Sequence, residues 1–417
     1  MEYVILGLAL LFFTGHALRG FFSKTKIPDL LIVTLLGYII GPVLGIVNAD
    51  DFGEIGNVLS TMALIVILYE GGIHLRAKDL VSSSWPTLKI TIAGFISVII
   101  AITAVGIMFA LRDPQSAFLL ALALSSTASA VVIPLVKTLS VSDSTKTVLS
   151  LESAITDILT IVLFLVAVDG LSSGEVDPKS ILIAVGPNTL LAILSGFLFA
   201  IAWSFIKSMF NNILPKAFAG EAFALLVYGA TGAMELNGAL AVLAFGFTLG
   251  NLNLLPIKNA QEIVDGLKNE YDMALLQEVS NVLRTFFFLY LGVLIQLGDW
   301  KVIAIAMLVT VAIYATRYLA VMVMFKSSDL TRMEAMTMTA MGPRGLAAAV
   351  LATLPVQAGI AGGQWVQEVC FAVILMTIFV TAFLVILIER DATRKIFSKL
   401  YLKFPEREAI VDSNSGP

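Results

Sequence analysis

Residues 148–168, VLSLESAITDILTIVLFLVAV, are an apolar run long enough to cross a bilayer, yet they carry Glu152 and Asp157. Ionisable side chains at that depth are costly and mark functional positions by default. On a helix Ser153 and Asp157 stand four residues apart and share a face, whereas Glu152 and Asp157 are five apart and point roughly 140° away from each other. The two acids therefore take two tasks. A carboxylate beside a hydroxyl is a hard-oxygen site suited to a proton or a small cation. The other acid needs a base from a different helix.

The surrounding chain has the same character. Of its 417 residues 58% are hydrophobic and only 13% charged, and the mean hydropathy of +0.94 belongs to an all-α polytopic membrane protein rather than a soluble domain. Apolar runs of about 20 residues exclude a barrel, whose strands would alternate with a period of two. A net charge of −4 says little about partners, and nothing points to nucleic acid. What matters is where Lys and Arg fall among the loops. The single cysteine, Cys370, lies in an apolar run, which rules out a disulfide framework or a cysteine metal cluster. A Walker-type phosphate loop is absent from the sequence, and no cofactor is expected.

About thirteen spans are expected. The first, Glu2 to Phe22, lacks a basic leader and cleavage site and reads as a retained span. The eighth, Glu221 to Met234, is short; the tenth runs from Val282 to Leu297 and the last from Trp365 to Ile388. Bases follow the odd spans (Arg19, Lys24, Lys26; Arg76, Lys78; Lys137, Lys146; Lys207, Lys216; Lys326, Arg332; Arg390, Arg394, Lys395, Lys399), whereas Asp50, Asp51, Glu54, Asp169, Glu175 and Asp177 follow even ones. This places the N-terminus outside and the C-terminus in the cytoplasm. Residues 255–281 read as an amphipathic interfacial segment, and the tail as basic near the membrane and disordered beyond.

Two spans look broken. In the fifth, Gln115 to Leu139, Ser125, Ser126, Thr127 and Ser129 precede Pro134; in the twelfth, Met333 to Val356, Gly342, Pro343 and Gly345 surround Arg344. Irregular backbone at membrane depth is tolerated only in protein or against a cavity. If spans one to six and eight to thirteen are two inverted six-helix repeats, each broken helix is the fifth of its set, the arrangement of a secondary transporter with its site where the breaks cross.

Of the charges within the spans, three acids, Glu70, Glu152 and Asp157, and three bases, Arg284, Arg317 and Arg344, are the candidates for pairing or function. Counting from Lys146 and Lys326, Glu152 and Arg317 lie about 9 and about 14 Å deep at 1.5 Å per residue, so they can pair; Arg344 is the competing partner. Asp157, away from a base, is then the carboxylate for which a proton and a cation compete, with Ser153, Thr156 and Thr127 as neighbouring oxygens. Glu70 either lines a funnel or pairs at an interface, and Arg284 snorkels from a span end. His16 and His74 are interface residues. A channel would need a filter signature, and an intramembrane aspartyl protease a second deep aspartate; neither is present in the sequence.

Together, Glu152-Ser153 with Thr156-Asp157, Tyr69-Glu70-Gly71-Gly72, Arg317 and Gly342-Pro343-Arg344-Gly345 resemble the monovalent cation:proton antiporters, nearest the NhaP-like and sodium/proton exchanger branch. The resemblance covers nearly the whole chain. It implies a homodimer in the cell membrane, with a dimerisation domain from residues 1–84 and 220–300, a mobile core from 85–172 and 301–389, a linking span in 173–219 and a cytoplasmic tail from 390–417. The core would carry the ion between membrane faces as an elevator. The family's cation-binding aspartate matches Asp157, its serine ligand Ser153, and its structural ion pair Glu152 with Arg317. Two departures stand out: Thr156 precedes Asp157 where the branch has asparagine, and Thr127-Ala128-Ser129 replaces Thr-Asp-Pro. One acid at the crossing favours electroneutral exchange, of Na⁺ or Li⁺ ahead of K⁺. The alternatives are a K⁺/H⁺ antiporter of the same fold and a transporter-like sensor that does not transport.

Overall fold

A segment apolar on every side can enter lipid only if its backbone satisfies itself, and the chain meets that condition with helices. The structure, a computed structural model, describes residues 29–74, 85–172, 178–209, 219–254, 270–295 and 299–406, with the single residues 13 and 77. Outside the described residues lie the expected first span Glu2 to Phe22, apart from residue 13, with His16, the loop charges Arg19, Lys24, Lys26, Arg76, Lys78, Glu175, Asp177 and Lys216, residues 255–269, and the tail from 407.

The helices are α1 (Asp29–Tyr38, continued by a π turn Ile39–Val43), α2 (Ala49–His74), α3 (Trp85–Met108), α4 (Pro114–Ala123), α5 (Ser129–Lys137), α6 (Asp143–Ser172), α7 (Pro178–Met209) and α8 (Ala219–Ala233). They continue as α9 (Gly238–Gly250), α10 (Glu270–Leu294), α11 (Trp300–Met324), α12 (Arg332–Ala340), α13 (Leu346–Gln357), α14 (Gly363–Glu389) and α15 (Asp391–Phe397). Among the described residues, five stretches are long and apolar enough to cross a membrane: Thr91–Met108, Asp143–Ser172, Pro187–Lys207, Trp300–Met324 and Gly363–Glu389. Shorter apolar helices include Leu31–Val43, Gly238–Gly250 and Leu346–Gln357.

Two expectations are corrected. Residues 270–281 are not a separate interfacial segment but the first turns of α10, because no Gly or Pro interrupts the chain before it enters the apolar run. Nor does disorder begin directly beyond the basic stretch that follows the last span: α15 is followed by a 3₁₀ turn Ser398–Tyr401, and the described chain continues to Glu406. Phe397, Tyr401 and Phe404 recur every three or four residues, and this stripe packs on the apolar cluster of Leu135, Val321 and Met336.

The described residues divide into two compact units, one falling within 32–82 and 165–294, the other within 29–31, 83–164 and 295–406, with boundaries inside α1 and α6. In the first, α9 packs against α2 and α7. Small residues permit this approach: a Cβ on Gly72 would lie 2.7 Å from the Phe247 nitrogen, and one on Gly246 only 2.6 Å from the Tyr69 carbonyl oxygen. In the second, α3 packs on α4 and α11, and α13 on α14.

Candidate functional site

The second unit contains two interrupted helices, and local sequence explains each interruption. Helix α4 starts cleanly, with Asp113 accepting the Ser116 N–H at 2.8 Å and Pro114 in the first turn. It ends at Ala123, where the Ser125 hydroxyl donates to the Leu122 carbonyl at 2.7 Å, and helix resumes only at Ser129. Helix α12 opens with a capping box formed by Thr331 and Glu334 and ends at Ala340. Residues 341–345 are unwound around Pro343, which has no N–H to donate, and α13 begins at Leu346.

The two breaks touch. The Ala128 N–H donates to the Pro343 carbonyl at 2.8 Å. A Cβ on Gly345 would stand 2.6 Å from that of Ala128, so this contact requires glycine. Backbone groups released by unwinding find side-chain partners, as burial demands. The Arg344 N–H donates to the Thr377 hydroxyl at 3.0 Å. The Arg344 guanidinium is 2% exposed and donates to the carbonyls of Ser125, at 3.3 Å, and Ser126. A fixed cation thus meets carbonyls just past the C-terminus of α4, where the helix dipole is negative.

Asp157 on α6 faces the other side of the same break. Its Oδ2 accepts the Ser129 hydroxyl at 2.6 Å and the Ser129 N–H at 3.4 Å. Ser129 opens α5, so the carboxylate stands at a helix N-terminus. Its Oδ1 is buried and accepts from no described residue. Thr156 donates to the Glu152 carbonyl at 2.9 Å and accepts the Thr127 N–H at 3.3 Å, bringing these two residues together. The Ser153 hydroxyl donates to the Ser150 carbonyl at 3.0 Å, its proton turned back along its own helix. Ser129 was missing from the expected ligands. The signal for it was a hydroxyl at the first helical position after a break.

Glu152 pairs with Arg317, not with Arg344. The contact is bidentate, at 2.7 and 3.1 Å, and Arg317 Nε also donates to the Met338 carbonyl at 2.8 Å. One guanidinium therefore joins α6, α11 and α12. Glu152, Arg317 and Arg344 line a cavity together with Ser125, Thr127 and Thr156. In the first unit Glu70 accepts from the Ser280 hydroxyl and from Arg284 at 3.2 Å. Arg284 is thus tied to an acid on another helix instead of snorkelling, because α10 begins earlier than expected and carries this residue inside a helix.

A family model described as the transmembrane sodium/hydrogen exchanger matches residues 8–388. The chain is 26% identical over 378 residues to the K(+)/H(+) antiporter NhaP2 of Shewanella sp. strain MR-4, covering 86% of this chain and 61% of that protein. It is 28% identical over 363 residues to the Na(+)/H(+) antiporter 1 of Methanocaldococcus jannaschii, covering 83% and 81%. The chain thus spans about three fifths of the Shewanella protein's length. Its fold is similar to the structure of the sodium proton antiporter MjNhaP1 of M. jannaschii at pH 8, with a TM-score of 0.73 at 22% identity, over 92% of this chain and all of that one.

Proposed function

The chain belongs to the sodium/hydrogen exchanger family, and from that premise we propose that it is a secondary antiporter exchanging a monovalent cation for H⁺ across a membrane. The observation that carries this proposal is the Asp157 carboxylate, with one oxygen held by Ser129 and the other buried without a described donor. A carboxylate so placed binds a proton or a desolvated cation, but not both, and competition for one group couples the two fluxes. Thr127, Thr156 and Ser153 supply further oxygens nearby, and the Glu152–Arg317 pair holds the helices that carry them. Arg344 compensates the broken-helix carbonyls, while Glu70 and Arg284 neutralise each other in the first unit. Since Glu152 is already paired, one proton exchanges for one cation and transport is electroneutral.

Na⁺ or Li⁺ is the preferred cation. A second reading, K⁺, is favoured by the name of the Shewanella relative. The two compact units support an elevator in which residues 83–164 and 295–417 move against a static unit, in two inverted repeats of about thirteen spans, with the static unit forming a homodimer. The loop charges place the N-terminus outside and the C-terminus in the cytoplasm.

The test is proton flux in proteoliposomes loaded with a pH-sensitive dye, with Na⁺, Li⁺, K⁺ or choline added in turn. Exchange with Na⁺ and Li⁺, lost in folded Asp157→Asn protein, is the expected result. A response to K⁺ alone replaces the first cation with the second. Exchange that survives Asp157→Asn overturns the site, and no response to any cation from folded protein turns the proposal toward a sensor.

A further inference from the structure

The segment that leaves α14 has two faces. The inner face is built into the second unit: Tyr401 and Phe404 are each 1% exposed, and Lys403 donates to the carbonyls of Met322 and, at 2.7 Å, Phe325, covering the end of α11. Tyr318, next to Arg317 on α11, donates to the Leu400 carbonyl at 3.1 Å. Arg332, the first residue of α12, donates through Nε to the Phe404 carbonyl at 2.9 Å and pairs with Glu406. The strap is therefore fastened to α11 and α12, the helices that Arg317 joins to α6.

The outer face is unlike an ordinary soluble surface. Ile396 is 71%, Leu400 56% and Leu402 68% exposed, and Arg390, Lys395 and Lys399 are exposed among them. Residues 390–404 carry five bases, Arg390, Arg394, Lys395, Lys399 and Lys403, against one acid, Asp391. Two exposed aliphatic side chains one helical turn apart, Ile396 and Leu400, interleaved with cations, fit the boundary between headgroups and acyl chains. The segment also follows, without a linker, a helix long and apolar enough to span the bilayer, which keeps it within reach of the headgroups.

We propose that residues 390–404 form an interfacial strap whose outer face binds anionic phospholipid, with Ile396 and Leu400 in the acyl boundary and Arg390, Lys395 and Lys399 on the headgroups. Anchored inside by Tyr401 and Phe404, the strap ties the ends of α11 and α12 to the lipid surface. This holds whether or not the ion exchange proposed above is correct, since the readout is the surroundings of the strap itself.

The test uses the full chain carrying Leu400→Cys, labelled with an environment-sensitive fluorophore; Cys370, the one other thiol, is fully buried, and Cys370→Ala measures the background. The protein is reconstituted into vesicles of phosphatidylcholine, with or without phosphatidylglycerol, containing spin-labelled quencher lipid. The expected result is a blue-shifted emission quenched more strongly in the anionic vesicles, with the anionic increment lost in R390Q/K395Q/K399Q protein of unchanged thermal stability. Ile396→Cys, on the same face, repeats the measurement should the first probe disturb folding. Aqueous emission in both vesicle types, or equal quenching in both, overturns the proposal. So does a blue shift that follows protein concentration in lipid-free detergent, which would assign the face to a second copy of the chain.

Discussion

Two residues with the same functional group have different surroundings on α6. Glu152 has a bidentate base, whereas Asp157 has a serine and one oxygen without a described donor. Replacing Glu152 with Ala strands the Arg317 guanidinium and should cost about 3–5 kcal/mol, read as a lowered melting temperature; an unchanged one would remove the pair from the account of stability. Ser129→Ala deletes a hydrogen bond to a carboxylate, the kind of contact worth about 1.5–3 kcal/mol. Its expected signature in liposomes is a raised apparent KM for the cation with the maximal rate retained, and an unaltered KM would show that Ser129 plays no part in the site. The spacing made their different surroundings legible, since side chains five apart on a helix point roughly 140° away from each other. It could not show Ser129 on Asp157, because that contact joins residues 28 positions apart.

At the scale of elements, the breaks in α4–α5 and α12–α13 were readable from their Ser, Thr, Gly and Pro content, since those residues compete with or abolish helical hydrogen bonds. That the breaks meet was expected; the contact by which they meet was not readable, as it depends on a backbone bond from Ala128 to Pro343 and on the missing side chain of Gly345. Gly345→Ala should push the breaks apart at a cost of about 1–3 kcal/mol and slow exchange, whereas a variant with normal rate and stability would mean the crossing tolerates displacement. Thr377→Val keeps the shape but leaves the Arg344 N–H without its acceptor, which should cost about 1–3 kcal/mol in thermal unfolding. The start of α10 was misjudged because the charges of its amphipathic first turns set them apart from the apolar run, although no Gly or Pro separates the two.

For the whole molecule, competition at one carboxylate has a definite sign: as pH falls, protonated carrier accumulates, so the apparent KM for the cation should rise while saturating cation restores the rate. Initial rates measured across pH would expose a mismatch if the maximal rate fell instead. The tail also contributes to the fold. Tyr401→Ala removes a fully buried ring from the second unit and should destabilise it by about 3–5 kcal/mol, whereas a disordered tail would lose nothing. Composition and hydrophobic run length were enough to establish a helical membrane protein, because lipid leaves the backbone no other open-ended solution. The sparse charges within those runs were enough to make Asp157 a candidate, because a buried charge is costly unless it is paired or used. Only the tertiary structure could decide which base meets Glu152, that Ser129 holds Asp157, and that the tail folds back onto its own unit. Those outcomes depend on distances between segments far apart in the chain, which local patterns of polarity do not encode.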